Sequence, residues 1–378
     1  MFPQEKTGCT EWRSAARQTF VAARRETDRS ASGVLRAIAG AAAVGSLLAL
    51  GASHMQAHSK STQVTWTIDV APIVEARCTR CHRTGGFAPM PLASYADAKK
   101  WAPGIRDEVL SGRMPPWPGA PGFGDFANDA SLSAVEVELL ARWADGGAPL
   151  GPAAASAHAA PAPRFDAAPG ARFELPAVDV SAAATRTAML PTSFAGDRWI
   201  AGWTFEPGDR SLVEEASLSI DGAAVGAWTP FDDAIASPRG AADRLRAGAT
   251  LAVAVRYRRT ASVKTDRSTL TLYFDRAPSR ELRHLAIGCG AHRLDADVDV
   301  LAVRPRSAAA GASIETIAYG ADDAVTPLAV VSRYRPEFAV TYRLRSPVRL
   351  TRGSRIEVRS PSSDDCGAVV DYVRRGLR

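Results

Sequence analysis

The second half of the chain alternates hydrophobic and polar residues, and this period of two limits the folds it can adopt. In the run ATLAVAVRYRRT, apolar positions alternate with small or charged ones from Leu251 to Tyr257. Similar short runs, separated by Gly, Asp and Pro, continue from about residue 172 to the C terminus. Successive side chains of a strand point to opposite faces of a sheet, so such runs indicate half-buried antiparallel strands. We therefore predict an all-β sandwich over residues 172–378.

Residues 58–150 have helical spacing instead. In SAVEVELLARWADGG, Ser133 and Glu136 form a capping box ahead of an apolar stripe, and a Gly pair ends the segment. The run SYADAKKWAPGIRDEVLSG begins with a similar cap at Ser94, and Pro103 should kink or split its helix. These patterns predict an all-α domain over residues 58–150.

Two segments of biased composition flank this region. Residues 1–57 place six arginines before the apolar run AIAGAAAVGSLLALGA, which is short for a membrane span. This order predicts an export signal, with an uncleaved, membrane-associated N-terminal anchor as the alternative. Either one places the remaining chain in the periplasm or elsewhere outside the cytoplasm. Residues 151–171 are rich in Ala and Pro and lack periodicity, which indicates a semi-rigid linker.

The charge of the chain gives no sign of a nucleic-acid partner. The formal net charge is +6, from 46 basic and 40 acidic residues. Residues 1–57 hold seven of the basic and four of the acidic residues, which leaves 39 against 36 elsewhere, without a basic cluster. A nucleic-acid-binding surface concentrates positive charge on one face, so we expect no such partner.

The run EARCTRCHRTGG contains the most specific motif, Cys-x-x-Cys-His, at Cys78, Cys81 and His82. Two thiols at this spacing can add to the vinyl groups of one haem, and the adjacent imidazole can then bind the iron. A redox dithiol usually lies in a βαβ unit, and a zinc site needs a second ligand pair, which is not nearby. We therefore expect one covalent haem c on Cys78 and Cys81 with His82 as axial ligand. The redox dithiol and the zinc site are the alternatives.

A low-spin haem iron also needs a second axial ligand, and Met114 is the first candidate. It lies 32 residues after His82, which lets the chain cross to the other haem face, and its thioether would raise the reduction potential. Met90 is the rival, although only eight residues separate it from His82. The third possibility is that neither binds iron and both fill gaps in the core. Three tryptophans are expected to pack in the haem pocket and between helices, namely Trp101, Trp117 and Trp143.

The remaining cysteines predict a disulfide. Of five cysteines, Cys9 precedes the apolar run and would be lost with a cleaved signal, while Cys289 and Cys366 stand alone near the C terminus. Two lone cysteines in one domain often pair in an oxidising compartment. We predict a Cys289–Cys366 bond, and the alternative is two buried free thiols.

Several runs resemble a known bacterial architecture. Between residues 66 and 151, the runs DVAPIVEARCTRCHRTGGFAPMPL, GRMPPWP and ARWADGGAPLG resemble a cytochrome c domain that is often fused to a copper type II, ascorbate-dependent monooxygenase-like module. Residues 197–222, 244–276 and 326–358 resemble segments of that module, which is similar to peptidylglycine and dopamine monooxygenases. The resemblance implies two jelly-roll-like lobes, each of which holds one copper ion.

The chain departs from this family at its copper ligands. Where the family has Val-His-His, this chain has Val213, Glu214 and Glu215; Arg256 replaces a His before the strand tyrosine; and Pro-His-Met-His is replaced by Pro305-Arg306-Ser307-Ala308. Arginine stays protonated and cannot bind a cation. We therefore expect no copper. The module retains two histidines, which we expect to be surface or satisfied core residues, His284 and His292.

These observations favour an exported mono-haem electron carrier with an unidentified redox partner. The β-sandwich module would be non-catalytic and serve docking or assembly, so no catalytic residue is assigned and an enzyme is not expected. Two alternatives are a haem-coupled copper hydroxylase and a haem-based sensor of small molecules.

Overall fold

The computed structural model describes residues 63–84, 86, 88–152, 169–232, 234–275 and 280–376. The predicted signal or anchor over residues 1–57 lies outside these ranges, and so does most of the predicted linker over residues 151–171.

Four short α-helices lie within residues 63–152. Ser94 caps the second helix by accepting from the Asp97 amide, and Ser133 and Glu136 form the predicted capping box of the fourth. The predicted split is present, because the second and third helices meet at Trp101. The helices are α1 (Ala71–Arg77), α2 (Tyr95–Lys100), α3 (Ala102–Leu110) and α4 (Ala134–Asp145), and a π-helical turn precedes them at Trp66–Val70.

A small apolar core joins these helices. Trp143 and Leu140 of α4 are fully buried there, and Trp66 packs against Trp143 with ring centroids 5.6 Å apart. The Trp143 indole donates to the Pro149 carbonyl, so its polar atom is satisfied. None of the described helices is both long and apolar enough to cross a membrane.

The predicted all-α cytochrome c domain is wrong as a description of this region. The segment between α3 and α4 forms no helix and pairs with the β-sheet region through isolated bridges, Gly119 with Val331 and Phe126 with Leu344. Phe126 is buried in the core of the C-terminal sheets, and Trp117 packs against it. The helical spacing correctly predicted helices in this region. The apolar side chains between α3 and α4, however, complete the core of the second set of sheets. The described chain is mostly strand, with these four short helices attached.

The first β lobe comprises residues 169–281. A six-stranded sheet runs β1-β11-β4-β8-β12, with β7 beside β4, and a second sheet runs β3-β9-β5-β6; β2 and β10 form a separate pair. Buried residues of both sheets form one core around Trp203, Phe205 and Trp228. The strands are β1 (Pro169–Glu174), β2 (Val178–Val180), β3 (Ala184–Pro191), β4 (Arg198–Glu206), β5 (Val213–Ile220), β6 (Ala223–Trp228), β7 (Ile235–Ala236), β8 (Ala241–Leu245), β9 (Thr250–Tyr257), β10 (Lys264–Asp266), β11 (Thr269–Asp275) and β12 (Arg280–Glu281).

The second β lobe comprises residues 283–374. Its two four-stranded sheets run β13-β20-β15-β18 and β14-β19-β16-β17, and they enclose a separate core. The predicted β-sandwich is therefore confirmed, and it has two cores. The strands are β13 (Arg283–Gly288), β14 (Gly290–Arg293), β15 (Val298–Arg306), β16 (Ile314–Tyr319), β17 (Val325–Val331), β18 (Tyr342–Leu350), β19 (Arg355–Arg359) and β20 (Gly367–Arg374).

Candidate functional site

The Cys-x-x-Cys-His motif forms the turn that ends α1. The Cys78 amide donates to the Val74 carbonyl at 2.8 Å and continues the helix. The amides of Cys81 and His82 both donate to the Cys78 carbonyl, at 3.1 and 2.9 Å. These backbone bonds place the backbones of Cys78, Cys81 and His82 within one turn.

The His82 ring is held in a defined orientation. Its Nδ1 atom lies 3.0 Å from the Met90 carbonyl oxygen, which can only accept, so the proton is on Nδ1. His82 is buried, and this burial lowers the pKa of the imidazole despite the opposing effect of the Met90 hydrogen bond. The ring is therefore neutral at pH 7, with its lone pair on Nε2. Among the described residues, none bonds to that nitrogen.

The Cys78 thiol is poorly suited to thiolate chemistry. Burial, and next the neighbouring Cys81, raise its pKa to about 12. A redox dithiol reacts as the thiolate, which requires a lowered pKa. The surroundings of Cys78 therefore argue against a redox dithiol.

The two candidate methionines differ in their positions. Met90 packs against the helical core and contributes the carbonyl that bonds to Nδ1 of His82. Met114 is half-buried beyond α3, where its amide donates to the Glu108 carbonyl at 3.3 Å. The chain from Met114 then leads into the segment that packs on the second lobe.

An ion pair connects the motif to the first lobe. Arg80, between the two cysteines, places Nη2 3.3 Å from Oδ1 of Asp232. Asp232 also accepts from the amide and hydroxyl of Thr229. Sequence reasoning did not find this contact, because Asp232 lies in a loop with no pattern of its own.

The residues at the expected copper positions lie around one cleft between the lobes. Arg256 forms ion pairs with Glu214 at 3.2 Å and with Glu215 at 3.4 Å. A cleft of about 470 Å³ has Glu215 and Arg256 on one wall and residues 306–308 on the other. Three departures that are far apart in sequence therefore share one site. The carboxylates of Glu214 and Glu215 both pair there with the Arg256 guanidinium group.

The two histidines of the module lie in different environments. His284 is largely buried between the carboxylates of Asp243 and Asp371, each 2.6 Å from a ring nitrogen. His292 is exposed on β14. The expectation was that both are surface or satisfied core residues, and His284 is a satisfied core residue while His292 lies on the surface.

Cys289 and Cys366 form the predicted disulfide, with their Cα atoms 5.0 Å apart. This bond is compatible with a location outside the cytoplasm. It attaches the loop after β13 to the start of β20, at the edge of the interlobe cleft.

The broader classification from sequence needs correction. Within the described ranges, no group of three or more His, Cys, Asp or Glu side chains is placed to hold a metal ion. The structure is a β-sandwich with one disulfide among the described residues. It does not support the expected description as a cytochrome c with haem iron. Strands predominate among the described residues, and the four helices enclose only a small core of their own.

Comparisons with known proteins do not assign a family. No family model matches the chain, and no curated protein matches it. Among solved structures, the chain is similar to the crystal structure of PBCV-1 VP54 fitted into a cryo-EM reconstruction of the virophage Sputnik, at 7% identity and a TM-score of 0.24. That match covers 56% of this chain and 95% of the other. A likeness at this TM-score carries no argument about function.

Proposed function

We propose that this chain is an exported electron-transfer protein that carries one covalent haem c on Cys78 and Cys81, with His82 as an axial ligand. The observation that carries the proposal is the His82 ring. Its Nδ1–H is fixed by the Met90 carbonyl and its Nε2 lone pair is available, beside both cysteines of the motif.

The donor set fits this group. A ligating histidine usually donates its other ring nitrogen to a carbonyl or carboxylate, which fixes the tautomer and raises the basicity of the ligand. His82 has this arrangement, and burial keeps its imidazole neutral, as a metal ligand must be. A haem held there would supply one-electron exchange between Fe(III) and Fe(II).

Met114 is the proposed second axial ligand. Met90 lies only eight residues after His82, and its backbone carbonyl already bonds to Nδ1 of the His82 ring. Met114 lies 32 residues after His82 in a different segment, just beyond the end of α3.

The β lobes are proposed to act in docking or assembly rather than catalysis. The ion pairs of Arg256 with Glu214 and Glu215 support this, since a copper ion would have to displace a bound guanidinium group. Export to the periplasm through residues 1–57 completes the proposal, and the Cys289–Cys366 bond is compatible with it.

Expression of the full chain with haem-maturation machinery tests this function. We expect about one haem per chain that stays attached after denaturation, reversible reduction of its iron, and no stoichiometric copper. The double substitution Cys78→Ser and Cys81→Ser should remove covalent haem. The matched control, Cys289→Ser with Cys366→Ala, should retain it. A wild-type chain that matures without covalent haem, or that holds stoichiometric copper, would contradict the proposal.

A further inference from the structure

A second cavity between the lobes is lined by two arginine side chains. It has a volume of about 40 Å³, with β6 and β7 of the first lobe on one side and β15, β18 and β20 of the second lobe on the other. Arg304 of β15 and Arg343 of β18 both line it. The register explains this placement, because Ala302, two residues before Arg304, pairs with Arg343 on one side and Asp371 on the other.

Neither guanidinium group has a hydrogen-bond or ion-pair partner among the described residues. Both side chains keep part of their surface open to the cavity. Protein nevertheless surrounds them closely enough that desolvation lowers the pKa of each arginine. A desolvated positive charge without a partner costs free energy, and structures normally compensate it.

Three carboxylates act on Arg304 through their charge, and each of them already has a closer partner. Asp371 also lines the cavity, but its carboxylate lies 2.6 Å from Nδ1 of His284. Glu215 pairs with Arg256 at 3.4 Å and accepts from the Ser217 hydroxyl. Asp232, which acts on both arginines, pairs with Arg80 and accepts from Thr229. Among the described residues, the carboxylates that act on Arg304 are therefore all engaged elsewhere, and none is dedicated to this cavity.

We propose that Arg304 and Arg343 form a binding site for a small oxyanion, of the size of inorganic phosphate, that joins the two lobes. The planar guanidinium group matches the oxygens of phosphate and of carboxylate in a two-point contact. A single water needs about 10–15 Å³ on the same scale, so the cavity holds roughly three waters, which suits a small oxyanion and excludes a nucleotide.

Thermal unfolding of the full-length protein under a phosphate titration, at constant ionic strength adjusted with sodium chloride, tests the site. Because a ligand that binds only the folded state stabilises it, we expect a saturable rise in Tm with phosphate. Phosphate also stabilises proteins generally by exclusion from their surface, an effect that does not saturate. Equilibrium dialysis with labelled phosphate should give about one bound ion per chain.

Variants separate the site from general effects. R304Q should abolish both the saturable rise in Tm and the binding of phosphate. R304K should weaken phosphate binding by about tenfold, because lysine keeps the charge but cannot make the two-point contact of the guanidinium group. The control is R349Q, at an exposed arginine on β18, the strand that carries Arg343, and it should bind as the wild type does. In phosphate-free buffer, R304Q should equal or exceed the wild type in Tm.

Three results would overturn the proposal. One is a wild-type titration without saturation. Another is an equal saturable rise in wild type and R304Q. The last is a marked loss of stability in phosphate-free R304Q, or its failure to fold, which would show that the protein itself compensates Arg304.

Discussion

Nε2 of His284 lies 2.6 Å from Oδ1 of Asp243, and this contact joins the two β lobes. Nδ1 of the same ring lies 2.6 Å from Asp371 within the second lobe. Carboxylates accept at both ring nitrogens, so the imidazole is positively charged. Burial by itself would lower the pKa of His284, but the two carboxylates outweigh it and raise the pKa to about 10. Burial in turn raises the pKa of Asp243, an effect that the His284 bond partly offsets.

This raised pKa predicts how stability depends on pH. The folded state holds the His284 proton more tightly than the unfolded state, whose pKa is near 6.5. The contribution to stability is therefore fully present below about pH 6.5 and is lost as the pH rises through about 10. We expect the wild-type free energy of unfolding to fall between pH 7 and 10, as measured by urea denaturation.

The substitution His284→Gln should remove that contribution. Breaking a buried ion pair by removing one partner costs about 3 kcal/mol or more, so we expect a loss of this size at pH 7. The difference from wild type should shrink toward pH 10. His292→Gln, at the exposed histidine, should change neither the free energy of unfolding at pH 7 nor its dependence on pH. A difference that stays constant across this pH range would show that His284 acts through packing and not through its charge.

The docking of the segment between α3 and α4 can be tested at Phe126. This ring is 5% exposed and packs 4.9 Å from the Tyr342 ring, in the core of the second lobe. Truncation of a buried Phe to Ala costs about 3 kcal/mol, and we expect Phe126→Ala to lower the stability of the second lobe by this amount.

Hydrogen exchange measured strand by strand is the check, because it localises the loss. Amides of β15 and β20 should exchange faster in Phe126→Ala. Phe123→Ala, at a ring that is 46% exposed, should leave them within experimental error. Unchanged exchange in β15 and β20 with the Phe126 variant would mean that the segment is not part of this core.

The disulfide is expected to stabilise the second lobe by constraining its unfolded state. The bond joins two cysteines that are 77 positions apart in the sequence. In the chain-entropy model, a loop of this length contributes roughly 4 kcal/mol. The variant Cys289→Ser with Cys366→Ala should lose about this much in urea denaturation. Addition of a reductant should lower the stability of the wild type and leave the variant unchanged; equal responses of the two proteins would contradict this role.

The elements with local signals could be predicted from sequence. Ser133 and Glu136 specify the start of α4 within four residues, and the helix begins there. The alternation from Leu251 to Tyr257 specifies β9, whose buried residues are those apolar positions. In each case the information lies within one turn or one strand, which a single sequence records.

The partners of these elements could not be predicted, because they depend on contacts distant in sequence. Trp117 was expected beside the helices, yet its ring lies 5.0 Å from that of Tyr342 on β18. Trp101 was expected to pack and is 46% exposed. At the candidate site, the motif predicts that His82 is an iron ligand. It does not predict that the Met90 carbonyl orients the His82 ring, because no sequence pattern marks that carbonyl. A backbone carbonyl is present at every residue, so only the folded chain identifies the one that acts.

The assignment of Met114 as second axial ligand makes a spectroscopic prediction. In the haem-loaded wild-type protein, a thioether ligand should give a long-wavelength Met–iron charge-transfer band, and it raises the reduction potential relative to harder ligands. Met114→Ala should abolish the band and lower the potential, with the covalent haem retained because Cys78, Cys81 and His82 are unchanged. Met90→Ala is the matched control. Its carbonyl still orients His82, so the band should persist. If the band survives in Met114→Ala and disappears in Met90→Ala, the two methionines have been assigned the wrong way round.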